Sequence, residues 1–357
     1  MPLTSRFFVS ATEWDIGLGF DNVHFREGFY SLGDCNNLGC ANPPAPFAFL
    51  GDGLSRLAMG ADGRFCQRDA GTVACFNADG TASGSSFTLS NGVGGIAFDS
   101  TKNLIILAAT GAGTVAMFDA ANPLAPGHFS SANVSGSAKD VATLGGLGCV
   151  AQPTEGVVSI FPVDLTLFTS ISSPAGAVGT KPWSVAMSQL GAELDCVSTS
   201  ASDSKLVWTN TADGSTKGTL ALSGITPNGM PRIVAWNSGA QTGTLAVFSP
   251  QDSLIVFVNS STKAEIRRVV APSAPTSHVV QIAADETAGN LVLVYANING
   301  SVASTSFMKL AVGLGAPVPY AGPNSTSNIL FMDVAVSPAS PVIRGGTFGQ
   351  NASIPIQ

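Results

Sequence analysis

Short runs of apolar residues, broken every few positions by Gly, Ser, Asn, Asp or Pro, fill most of this chain, and they recur. An aliphatic residue followed by Ala opens an apolar run at Leu57-Ala58, Ile96-Ala97, Val141-Ala142, Val185-Ala186, Val234-Ala235, Ile282-Ala283 and Val334-Ala335, at intervals of 39 to 52 residues. A second element, "GTVACF" at 71–76, returns as "GTVAMF", "GVVSIF", "SKLVWT" and "SLIVFV" at intervals of 42 to 49. Between the two lies a third run, such as "LIILAA", "GCVAQ" or "TLAVFS". A weaker fourth, such as "SSFTLS" or "GTLALS", often follows. Runs this short, bounded by turn residues, read as strands. A unit of about 40 to 50 residues with four strands is the period of a propeller blade. Small residues suit an innermost strand, where blades crowd around the axis.

The pattern predicts an all-β fold: a seven-bladed β-propeller of four-stranded antiparallel blades forming one domain over 1–357. Residues 1–34 hold the strand candidates "RFFVSA" and "VHFREGFYSL", which are expected to complete the last blade. Residues 35–50 form a Cys/Pro loop, 51–330 hold six repeats, and 331–357 supply the inner strand of the last blade and a tail. Six blades with an extra hairpin, or a sandwich pair, are the alternatives. The strand "G-T-V-A-M-F-D-A-A-N-P" at 113–123, together with the period, resembles the seven-bladed lactonase and YVTN-repeat propellers. That resemblance implies a channel along the axis and, for the lactonase and cycloisomerase members, His and Arg near its mouth. His278 and Arg232, each shortly before an inner strand, are the positions it suggests.

Composition sharpens the picture. Charged residues are 11% of the 357, hydrophobic residues 45%, and Gly and Pro number 40 and 21. This excludes disorder, which needs low hydrophobicity and high charge. The net charge of −7 and the lack of a basic stripe argue against nucleic acid. The apolar runs are far shorter than a membrane helix. The first fifteen residues lack the apolar core of a signal peptide. Even so, six cysteines and five Asn-x-Ser/Thr sequons (Asn133, Asn259, Asn299, Asn324, Asn351) favour a secreted glycoprotein, with a cytoplasmic location as the alternative. In a hairpin centred between Ala70 and Gly71, Cys66 and Cys75 stand opposite each other, within reach of a disulfide. Cys35 and Cys40 form a second expected pair. Cys149 and Cys196, on second strands of neighbouring blades, are expected to be free and buried.

No CxxC pair and only three histidines leave no metal set, and no cofactor is expected. GxSxG, GxxxxGK[ST] and HExxH patterns are absent. What remains is position. Arg56, Lys139, Asp140, Arg232 and Asp333 fall among the fourteen residues just before the seven aliphatic-Ala pairs, where the chain-wide rate gives one or two charges. Lys181, Trp183, His278 and Met332 lie beside them. A concave apolar wall with a few convergent polar groups is what a small-molecule site looks like. The expectation is an enzyme of cyclase, lyase or lactonase type acting on a compact, largely apolar substrate at the channel mouth. His278, Arg232 and Asp140 would be catalytic, with Arg56, Lys139, Lys181, Trp183, Met332 and Asp333 binding substrate. The alternative is a non-catalytic propeller that binds a protein or glycan, or a structural subunit of an extracellular assembly.

Overall fold

The computed structural model describes strands at 6–9, 14–17, 22–25 and 28–31, most of residues 57–319, and strands at 331–336, 342–347 and 350–355. Among the described residues the one helical turn is Gly239–Gln241, and no helix is long and apolar enough to cross a membrane. The rest is antiparallel sheet.

Seven sheets of three to five strands follow one another along the chain. The first strands of the seven are Leu57–Met59, Val93–Asp99, Val141–Leu144, Pro182–Leu190, Arg232–Ala235, Ser277–Asp285 and Phe331–Val336, the sixth sheet carrying the short strand Ser273–Ala274 outside its own. In each sheet the strands lie side by side in chain order, so every connection is a hairpin. The first strands of successive sheets lie against one another, and Phe331–Val336 lies against Leu57–Met59.

The core sits between sheets rather than within them, which accounts for the uninterrupted apolar runs. A strand buried on both faces cannot alternate apolar and polar residues. In Leu104–Ala109, Ile105 and Leu107 pack with Ala58, Cys66 and Phe87 of the first sheet. Ile106 and Ala108, on the other face, pack with Val141, Val150 and Phe161 of the third. The same division recurs farther on. Val197 and Trp208 of the fourth sheet meet Leu245 and Val256 of the fifth. Phe248 and Phe257 of the fifth meet Leu291 and Leu293 of the sixth.

Among the described strands, those of the N-terminal segment pair with one another. Arg6–Val9 pairs with Gly28–Ser31, and Trp14–Gly17 with Asn22–Phe25, while the sheet opened by Phe331–Val336 is continued by Val342–Thr347 and Gln350–Pro355. Residues 331–357 carry these three strands. Consecutive hairpins close short loops, whereas joining the two chain ends closes a loop of the whole chain, and loop entropy favours the former.

One expectation is corrected: Cys149 and Cys196 are bonded to each other rather than free, with Cα atoms 6.2 Å apart. They occupy second strands one repeat apart, and both are fully buried in the cluster between the third and fourth sheets. Burial between facing sheets is what brings the two sulfurs together. Cys66 and Cys75 are bonded as expected, directly opposite in register with Cα atoms 4.0 Å apart. Cys35 and Cys40 lie outside the described residues.

Candidate functional site

A cavity of about 960 Å³ runs along the first strands. Its wall is built from the repeated aliphatic-Ala pairs: Val141-Ala142, Val185-Ala186, Val234-Ala235 and Ile282-Ala283, with Ile96. Small side chains let the strands approach the axis while the branched ones keep it apolar.

At the end where the first strands begin, the backbone departs from regular pairing. The register shifts between Val93 and Ile96, between Pro182 and Val185, between Val279 and Gln281, and between Phe331 and Asp333. Before Val141, the Lys139 N–H donates to the Ala151 carbonyl and the Ala151 N–H donates to that of Asp140, both at 2.9 Å. Irregularities of this kind re-aim side chains. Here they recur at the positions that the charge pattern singled out.

Asp140, Ser184, Arg232 and Gln281 line the cavity at this end. Asp140 is buried, and its carboxylate accepts three hydrogen bonds. Oδ2 takes them from Ser184 Oγ at 2.8 Å and the Val185 N–H at 3.0 Å, and Oδ1 from the Val141 N–H at 3.0 Å. Burial pushes its pKa up to about 6, while those hydrogen bonds and the positive charge of Arg232 pull the other way. The sequence continues from sheet to sheet. The Gly95 N–H donates to the Lys139 carbonyl at 2.9 Å, and the Ile233 N–H donates to Ser184 Oγ at 3.4 Å. Four neighbouring sheets are thus joined through backbone amides, Asp140 and Ser184. Gly95 has to be glycine for this. A Cβ there would meet Asp140 Oδ1 at 2.4 Å and the Val141 nitrogen at 2.8 Å.

The opposite end has its own polar ties. Asn237 Oδ1 accepts from the Gln189 N–H at 2.8 Å, its Nδ2 donates to the Met187 carbonyl at 3.0 Å, and its N–H donates to Glu286 Oε1 at 3.1 Å. Ser238 Oγ donates to Glu286 Oε2.

Of the predicted site residues, Asp140 and Arg232 meet in the cavity wall. Lys139 and Trp183 are outside its lining and pair with each other, the ammonium 4.5 Å from the ring centroid. Trp183 is half-buried, and its Nε1 has no hydrogen-bond acceptor among the described residues. Lys181 is exposed, with φ of 61°. His278 stands on Ser277–Asp285 opposite Ala296, and Asp333 on Phe331–Val336 opposite Gly346, with Met332 beside it. The side chains of these three lie outside the described residues, and so does Arg56 altogether. Ser184 and Gln281 were not singled out beforehand. The signal was there, since each occupies the position directly before its aliphatic-Ala pair, as Asp140 does. No group of three or more His, Cys, Asp or Glu able to hold a metal ion occurs among the described residues.

No family model and no curated protein matches the chain. Solved structures do. A chain of the mitotic checkpoint complex has a TM-score of 0.62 at 14% identity, with 86% of this chain and 87% of that one covered. Hydrazine synthase of Kuenenia stuttgartiensis gives 0.63 at 10% identity, covering 86% and 96%. The WD40 β-propeller domain of Doa1 gives 0.58 at 14% identity, covering 84% and 92%. At such identities the likeness concerns fold alone. The chain is a β-propeller.

Proposed function

We propose that this is a seven-bladed propeller acting as a non-catalytic binding module, which presents the strand-start end of its channel to a protein partner. The observation that carries the reading is the state of Asp140. A cyclase, lyase or lactonase needs a group free to take and return a proton. Asp140, the acid best placed for that, spends both oxygens on three hydrogen bonds, two of which join it to the next sheet. It works as a tie. Moving a proton on and off it would loosen the ring at each turnover. The seven-bladed count is supported by seven sheets whose first strands neighbour one another. Propellers in multi-protein assemblies, such as the checkpoint complex, make a protein partner a natural occupant. The two disulfides favour an oxidising compartment.

A second reading is favoured by the cavity itself. Its volume of about 960 Å³ and its aliphatic wall suit a compact apolar ligand, with Arg232 at one end.

A photo-reactive residue placed at Lys181 and, separately, at Leu314 tests the first reading. Leu314 is 94% exposed after the third strand of the sixth sheet. The expected result is a defined protein adduct from position 181 and none from 314, with the purified partner binding the unmodified chain. Turnover of a small substrate that disappears in Asp140→Asn, with the melting temperature unchanged, would overturn it.

A further inference from the structure

One cavity reaches from end to end of the channel. Asp140 and Arg232 line it where the first strands begin, and Gly145 and Gly146 line it in the turn that ends the first strand of the third sheet. Asp140 to Gly145 is five residues, about 16 Å of extended chain, so a volume of about 960 Å³ means a mean cross-section of about 60 Å². A single alkyl chain is several times thinner. The wall between the ends is aliphatic, and Phe98 is the one aromatic side chain among the described residues that line it. Water in that stretch would lack polar partners, and cavities of this kind take apolar guests. The charges at the two ends are answered within the protein. Asp140 holds three hydrogen bonds and lies in the field of Arg232. At the turn end, Glu286 accepts from the Asn237 N–H and from Ser238 Oγ, and Asp99 Oδ1 accepts from the Thr101 and Lys102 N–H groups at 2.9 and 3.0 Å. Lys102, the one cation lining this end among the described residues, is thus balanced by acids on the same rim. Neutral groups stand there too. Thr143 lies one residue before the Leu144–Leu147 turn, Ser100 lies in the matching turn of the second sheet, and both line the cavity. The Gly145-Gly146 turn carries no side chain, and a Cβ on Gly146 would meet nothing within 4 Å, so it leaves the mouth open.

We propose that the channel takes an uncharged, rigid alicyclic alcohol of the sterol or cyclic terpenoid class, with its ring skeleton along the aliphatic wall and its hydroxyl at Thr143. This rests on the reading of the cavity as the site of a compact apolar ligand and adds that ligand's chemistry. An ion entering here would shed its water and find no unanswered charge. A planar aromatic molecule would find a single ring to stack on. A flexible chain would leave much of the cross-section empty and lose its internal freedom on binding. A fused ring system is wide and has little freedom to lose. Its one hydroxyl matches a mouth lined by Thr143 and Ser100.

Dehydroergosterol is the probe, read by its own fluorescence, which rises in apolar surroundings. It should bind the wild-type chain with an affinity that does not fall as sodium chloride is raised. Thr143→Val keeps the shape of the side chain, removes its hydroxyl and should bind several-fold more weakly. Ala142→Phe and, separately, Ala235→Phe put a ring into the channel from two different sheets and should each lose at least tenfold. Ala264→Phe, exposed on the outermost strand of the fifth sheet, should lose nothing. Melting temperatures show which variants keep the fold. Full affinity in Thr143→Val, or in either filled variant that keeps the fold, would overturn the proposal. So would tighter binding of laurate, which would mark an anion site, or of dodecanol, which would mark a site for a flexible chain. Failure of dehydroergosterol to bind while dodecanol binds would remove the alicyclic class and leave the apolar cavity standing as a ligand site. Failure of both would remove that reading of the cavity as well.

Discussion

Asp140 shows how one side chain can tax and secure the same molecule. Its pKa is pushed from 3.8 up to about 6 by burial, so the folded protein holds a proton there more tightly than the unfolded chain does. Its contribution therefore grows as pH falls through about 6 and levels off below about 4, a gain of about 3 kcal/mol for a shift of this size. Most carboxylates with resolved shifts move the other way. Asp62, Asp203 and Glu265 are lowered, Asp62 and Asp203 against their own desolvation, by hydrogen bonds and charges from Arg64, Lys205 and Arg268. The test is accordingly a difference: denaturant unfolding from pH 4 to 7, wild type against Asp140→Asn. The wild type should gain relative to the variant as pH falls. Parallel curves would mean that the carboxyl is not perturbed. The glycine opposite offers a second test. Gly95→Ala forces a methyl against Asp140 and the Val141 backbone, which do not yield easily, so about 1 to 3 kcal/mol of stability should be lost in thermal melts.

At the scale of strands and sheets, the aliphatic-Ala pairs were legible because one requirement, a small and apolar residue near the axis, repeats with the unit. Ile96, Val141, Val185, Val234 and Ile282 accordingly line the channel. What lay beyond the sequence was anything decided by a half-turn of the backbone. The backbone at the strand starts sets Asp140 and Ser184, the latter at a register shift, in the cavity wall but leaves Lys139 and Trp183 outside it, although the two kinds of position are adjacent in the chain. The pairing of Cys66 with Cys75 was legible because a hairpin fixes its own register. That of Cys149 with Cys196 depends on which faces of two different sheets meet, and no local pattern encodes this. The two bridges should also differ in worth. Loop closure assigns about 4 kcal/mol to the bridge spanning 47 residues and about 3 kcal/mol to the one spanning 9. Urea unfolding of Cys149→Ala/Cys196→Ala and of Cys66→Ala/Cys75→Ala should rank them in that order.

For the whole molecule, the critical segment is Phe331–Val336, which lies between Ser277–Asp285 and Leu57–Met59. Removing residues 331–357 exposes the flanks of two sheets and should cost most of the stability. Removing residues 1–12 takes the strand Arg6–Val9, which pairs with Gly28–Ser31, and should shift the melting temperature by far less. Circular dichroism melts of the two truncations distinguish these outcomes, and an equal loss in both would restore a closing role to the N-terminus.

That seam also bears on how the chain reaches its native state. Every sheet forms from consecutive hairpins, and each sheet packs on the next about one repeat away, so contact order is modest for an all-β protein. The meeting of Phe331–Val336 with Leu57–Met59 is the exception, spanning nearly the whole chain. Refolding should therefore proceed as an open arc that grows sheet by sheet, with ring closure as its slow final phase. A circular permutant that joins the old termini through a flexible linker and opens instead at the Asp213–Gly214 turn would relocate this slow step to the fourth sheet.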